Sequence, residues 1–219
     1  MTARETILSA IRRVSPGGDG DSIAAEALAL LADPDSIRPA PAGATLHDAF
    51  AAKASVLGTT VERIPDLASV PQAVRRYLDS HGLQSLSLQP APDLTALDWT
   101  GIAIHEGVVP DEPAALGLAL FGVAESGSVV IHSGPDAPIL LSFLPLHHIV
   151  VLRESTLLPY LEDYAAKLAA TDTPRNAILI TGPSGTTDIE GSYVRGAHGP
   201  GFLHVVMVRD AGGGQNDMP

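Results

Sequence analysis

The chain has 219 residues, with 25 Asp and Glu against 13 Lys and Arg and a formal net charge of −12. That balance argues against a nucleic-acid partner, whose phosphates are held by Lys and Arg, and against docking on an anionic membrane. No cysteine occurs, which rules out a disulfide, a thiol nucleophile and any Cys-ligated zinc or iron–sulfur cluster within the chain.

Taken in chain order, Thr2 and Glu5 have the spacing of a capping box, and Ile7, Leu8, Ile11 and Val14 then share one helical face. A Gly/Asp loop leads to an Ala/Leu-rich segment, Ser22–Ala32, which Asp33-Pro34 stops, and a Pro-rich link runs to Pro41. Residues 1–44 therefore read as a helical N-terminal arm and linker. The N-terminus lacks the apolar run of a signal peptide, and no 18 consecutive apolar residues occur. The expected location is cytoplasmic, without membrane insertion.

From Leu46 the texture alternates. His47–Leu57 reads as a helix capped by Thr45, Thr59–Ile64 as a short strand, and Ser69–His81 as a helix capped by Ser69. Pro71 lies in that helix's first turn and Gly82 just past its end. Leu83–Leu88 is a further strand candidate. Gly101–His105, Leu118–Ala124, Ser128–His132, His148–Leu152, Ala177–Thr181 and Leu203–Val208 are short β-rich runs, and Leu157–Ala169 reads as a helix. Strands alternating with helices imply an α/β sheet covered on both faces, over residues 45–210. The strand-only stretch 101–152 suggests a hairpin insertion or an antiparallel part. Residues 211–219 read as a flexible tail.

Three segments carry candidate chemistry. In the first, Glu125, Ser126 and Gly127 stand where an apolar run gives way to a turn, either as a solvated hairpin turn or as backbone N–H groups open to a ligand. In the second, an apolar strand runs into Gly182-Pro-Ser184-Gly-Thr186-Thr187-Asp188-Ile-Glu190. A helix starting there would bind an anion at a strand's carboxyl end; Asp188 and Glu190 would face that ligand or merely suit a first helical turn. In the third, Arg195 and His198 flank a Gly/Pro turn before the last strand, so His198 is either an oriented general base or an exposed turn residue. His147 and His148 are adjacent, so at most one can enter a given site from a strand. No spacing suggests a metal site.

Together, Ala124-Glu-Ser-Gly-Ser-Val-Val130, Leu141-Ser-Phe-Leu-Pro145, Ile180-Thr-Gly-Pro-Ser184, Asp188-Ile-Glu190 and Gly196-Ala-His-Gly-Pro200 resemble, in order and spacing, the LUD (lactate utilization) domain family, and most closely its lactate utilization protein C subfamily. The resemblance implies a NagB/RpiA/CoA-transferase-like fold, a Rossmann-like α/β sandwich with a β-rich insertion and a short helical N-terminal arm. It implies a part in oxidising L-lactate to pyruvate alongside two iron–sulfur partner proteins, one of them Cys-rich, which would hold the clusters that this chain cannot. On that reading a small carboxylate binds near Glu125, residues 182–187 and Arg195, with His198 as base and Glu125 orienting it. The family's basic residue before the Ser-x-Leu-Pro segment is missing from Ser133–Ser142; if that cation ordinarily pairs with a substrate carboxylate, this protein uses another, such as Arg195 or Arg153, or binds something else. The alternatives are an acyl- or CoA-transferase-like enzyme with Glu125 as nucleophile, and a binding module without chemistry of its own.

Overall fold

The computed structural model describes residues 2–14, 18–33, 38–187 and 189–210. The expected flexible tail and Asp188 lie outside the described residues. The chain divides into two compact units, Met1–Ala40 and Pro41–Pro219. The first contains helices α1 (Ala3–Val14) and α2 (Gly20–Ala32). Its capping box is present: Thr2 N donates to Glu5 Oε2 at 2.7 Å, and Glu5 N to Thr2 Oγ1 at 3.3 Å. Asp19, which the sequence reading left in the loop, caps α2 by accepting from Ser22 N at 2.7 Å.

The second unit is built on a six-stranded sheet in which every pairing is parallel. Its order is β1 (Thr60–Ile64), β12 (Phe202–Val208), β7 (His147–Arg153), β4 (Ala114–Leu118), β2 (Ser85–Leu88) and β3 (Ala103–His105). The central strands are apolar along most of their length because both faces are covered. On one face Ile149, Val151, Val206 and Val208 pack beneath helix α4 (Val70–His81), through Val70, Ala73, Val74, Tyr77 and Leu78. Leu94 of the short helix α5 (Pro92–Thr95) joins that core. The alternate residues Val150, Leu152, Val205 and Met207 meet Phe50 and Ala54 of helix α3 (Leu46–Val56) on the other face.

A second sheet packs on that α3 face. Its order is β8 (Leu157–Leu158), β5 (Phe121–Val123), β6 (Ser128–His132) and β9 (Ala177–Ile180), with β5–β6 and β6–β9 antiparallel. Helix α6 (Leu161–Ala169) closes a small core of Val123, Val130, Leu158 and Tyr164. The architecture is Rossmann-like α/β with an added β-rich layer.

Four expectations change. Leu118–Ala124 is not one strand: β4 ends at Leu118, and Leu120 N turns to Val130 O of the second sheet. Leu157–Leu158 is a strand rather than a first helical turn, because Pro159 disfavours helical backbone at the residue before it. Ser69 makes no side-chain cap for α4; Asp66 accepts from Ser69 N instead, closing a 3₁₀ turn before the helix. Finally, no helix follows Gly182-Pro-Ser184. The chain forms an antiparallel ribbon, β10 (Gly185–Thr187) with β11 (Tyr193–Arg195).

Candidate functional site

Because the main sheet is parallel, its strands all begin at one edge. In register, His147 lies between Phe202 and Ala114, and His204 lies opposite Thr60. Helix α4 brings the chain back to this amino edge before β2, so its last turn delivers Tyr77 and His81 there. The ends of the two short sheets reach the same place. Ser184 N donates to Pro200 O at 2.7 Å and Gly196 N to Ser184 O at 2.9 Å, while a Cβ on Gly58, just before β1, would lie 3.8 Å from Pro183 and 4.0 Å from Arg195.

Six side chains converge. Tyr77 Oη and His147 Nδ1 are 2.9 Å apart. The Tyr77 ring stacks on His81 at 4.1 Å and on His204 at 4.5 Å. The His147 ring stacks on Phe202 at 4.3 Å, and the Arg195 guanidinium lies 4.4 Å above the same Phe202 ring. That contact holds the cation by its attraction to the ring face, and its N–H groups are the donors it offers a ligand. Among the described residues Arg195 forms no ion pair, whereas Arg153 is bound to both Asp93 and Asp210. Of the two cations that could replace the missing one, Arg195 is therefore the one available.

Burial sets the protonation of the group. It pushes the Tyr77 phenol up to about 12, with the Arg195 charge working against it. Burial, then the charges of His81 and Arg195, hold His147 below the usual imidazole range. His204 falls to about 4 by burial despite Glu62, with Nδ1 2.7 Å from Thr60 Oγ1. Tyr77, His147 and His204 are thus neutral groups beside a permanent cation. Perturbed titratable groups gathered in this way mark a candidate functional site.

The three motif segments are joined by hydrogen bonds. Ser126 Oγ is 2.8 Å from Ser128 Oγ, which is 2.6 Å from Thr181 Oγ1 at the end of β9. Residues 182–184 then bond to 196–200, as above. Gly182 has φ +95°, and a Cβ there would sit 3.0 Å from Leu57 O, so this glycine is required by the turn and by α3. Thr186 and Thr187 pair with Val194 and Tyr193 in the ribbon, and Glu190 lies in its turn. The helix N-terminus expected to hold an anion is absent here. His198 is exposed on the loop before β12.

Glu125 stands at the start of α6. Its Oε1 accepts from Leu161 N at 2.6 Å, holding the amino end of α6. A carboxylate beside the amino end of a helix is favourable there. Glu125→Ala is expected to lower stability by about 1 kcal/mol in chemical denaturation, the usual cost of a lost cap, and to leave ligand affinity in place.

Sequence reasoning missed Tyr77, His81, Phe202 and His204 and weighed His147 lightly. The available signal was Tyr77 and His81 one turn apart at the end of a helix. Nothing in the order of residues placed that end beside β7 and β12. Among the described residues no group of three or more His, Asp or Glu side chains is placed to hold a metal ion, and no helix is long and apolar enough to cross a membrane.

A family model, the LUD domain, matches residues 113–208, which include His147, Arg195, His198 and Phe202. Lactate utilization protein C of Bacillus licheniformis is 30% identical over 174 residues, covering 75% of this chain and 69% of that protein. The chain belongs to the LUD domain family, lactate utilization protein C subfamily. The uncharacterized protein YkgG of Escherichia coli is 36% identical over 125 residues, so the match spans about half (54%) of each chain. A crystal structure of a DUF162 family protein from Deinococcus radiodurans superposes with a TM-score of 0.57 at 20% identity, over 74% of this chain and 96% of that one, which shows the shared fold.

Proposed function

We propose that this chain serves lactate utilization as the cysteine-free subunit of an L-lactate-oxidising complex, and that it binds the carboxylate of the small hydroxy acid at Arg195. The observation that carries the reading is Arg195 itself, a cation without a carboxylate partner among the described residues, held on Phe202 beside neutral His147 and Tyr77. The names of the relatives supply the metabolic setting. Converting the hydroxy acid to the 2-oxo acid releases two electrons and two protons. The electrons pass to iron–sulfur partner proteins, one of them Cys-rich, since a chain without cysteine offers no thiolate for a cluster. His198 takes the hydroxyl proton as general base, and the proton from the carbon passes to solvent as the electrons move on.

The test is calorimetric titration of the purified chain with L-lactate. Arg195→Ala should weaken binding roughly 10- to 100-fold, the scale of a charge-assisted hydrogen bond of about 1.5–3 kcal/mol, while Arg195→Lys should recover part of it. Equal affinity in wild type and Arg195→Ala would remove the carboxylate from this site.

A further inference from the structure

Three imidazoles are buried at the amino ends of β7 and β12, and they differ in what their ring nitrogens can reach. Both nitrogens of His148 and Nε2 of His204 are sealed without a hydrogen-bond partner, the last of these 3.9 Å from Glu62 Oε2. His204 spends its Nδ1 on Thr60 Oγ1. His147 spends Nδ1 on Tyr77 Oη, and its Nε2 is not among the sealed atoms. His147 is therefore the one of the three with a ring nitrogen open to a ligand, and the ring cannot swing away. Phe202 lies flat against it, with an interplanar angle of 5°, and His81 meets its edge at 5.1 Å. Arg195 is on the same Phe202 ring.

We propose that His147, positioned by Tyr77, is the specificity-determining residue that recognises an oxygen on the second carbon of the carboxylate held by Arg195. The ligand class is a short 2-hydroxy or 2-oxo carboxylate. This rests on the reading of Arg195 given above and adds to it the group that tells lactate from an unsubstituted acid. One neutral imidazole nitrogen gives one hydrogen bond. If Tyr77 donates to Nδ1, Nε2 carries the proton and donates to a hydroxyl or keto oxygen; if Nδ1 donates to Tyr77, Nε2 accepts from a hydroxyl. A site built around such a bond rejects the analogue lacking the oxygen, because the buried nitrogen is then left unpaired. Arg195, His81, Phe202 and Tyr77 face the His147 ring, and the carboxylate of Glu62 bonds Arg76 through Oε1 while its Oε2 lies 3.9 Å from His204 Nε2.

Titration of the full chain with L-lactate, pyruvate and propanoate, followed by amide chemical shifts, tests this. L-Lactate is expected to bind at least tenfold more tightly than propanoate. His147→Phe should abolish that preference, so that L-lactate and propanoate bind alike, and His147→Gln, which keeps a polar atom near the Nε2 position, should restore part of it. Tyr77→Phe should reduce the preference without removing it. The native amide spectrum of each variant confirms its fold. Equal binding of all three acids, or a preference that survives His147→Phe, would overturn the role of His147 and leave Arg195 standing. Binding of none of the three would overturn the Arg195 reading and this one with it.

Discussion

Gly127→Ala should lower the melting temperature of this protein by about 10 °C. Gly127 has φ +67°, and a Cβ built there lies 2.5 Å from Ala54 N and 2.8 Å from Ala54 Cα. Two costs add. The left-handed conformation disfavours any L side chain by about 1–2 kcal/mol, and the clash is with helix backbone rather than a flexible side chain, an overpacking cost of typically 1–3 kcal/mol. In a domain of this size each kcal/mol moves the midpoint by roughly 2–4 °C. Gly134→Ala is the control: nothing lies within 4 Å of its Cβ position and its φ is not positive, so its midpoint should hardly move. A small change at Gly127 would mean that the turn does not sit against α3 as described. The outcome bears on function, because the sequence leaves this turn as either a hairpin turn or backbone N–H groups open to a ligand. Its own N–H donates to Val123 O at 2.9 Å, so the conformation is used for packing.

This turn shows what the order of residues discloses and what it hides. Thr45 as a cap, α4 with Gly82 in the left-handed conformation past its end, and the apolar strands β7 and β12 were all legible, since caps, proline position and apolar runs are local. The ribbon after Pro183 was not. Asp188-Ile-Glu190 has the acidic look of a helix start, yet Tyr193-Val194-Arg195 pairs back on Gly185–Thr187, and only glycine at 185 leaves room for the Tyr193 ring. The larger miss concerns the edge of the sheet. Ligands of open α/β sheets usually sit at the carboxyl ends of strands, and the Gly182–Thr187 segment does follow strand β9. But β9 belongs to the second sheet, and the loop beyond it returns to the amino edge of the first. The carboxyl edge is instead occupied by the Arg153, Asp93 and Asp210 ion pairs. Which sheet a strand joins is a long-range fact, and with it went Tyr77, His81 and His204.

Those buried imidazoles also set the protein's response to acid. His148 is fully buried with both ring nitrogens unpartnered, and burial holds it at about 4; His204 is held at about 4 by burial as well, opposed by Glu62 and reinforced by His81. In the unfolded chain each takes a proton near the ordinary value of about 6.5. Between those limits the unfolded state binds more protons than the native one, so stability rises with pH. It is full above pH 6.5 and is lost as pH falls towards 4, at roughly 1.4 kcal/mol per pH unit for each group. Over the whole window that is on the order of 3 kcal/mol per imidazole, a large share of the 5–15 kcal/mol that holds an ordinary domain together. Urea titrations at pH 7.5, 6, 5 and 4.5 should give a stability falling with a slope of about two protons. His148→Leu should remove about half of that slope, because an apolar side chain of similar size binds no proton in either state. His132 and His147, also lowered by burial, add to the slope in the upper part of the window. A stability that stayed flat from pH 6.5 to 4.5 would mean that water reaches both rings. The contrast that singles out His147 as the ligand-facing imidazole, one open nitrogen among sealed ones, would then be lost.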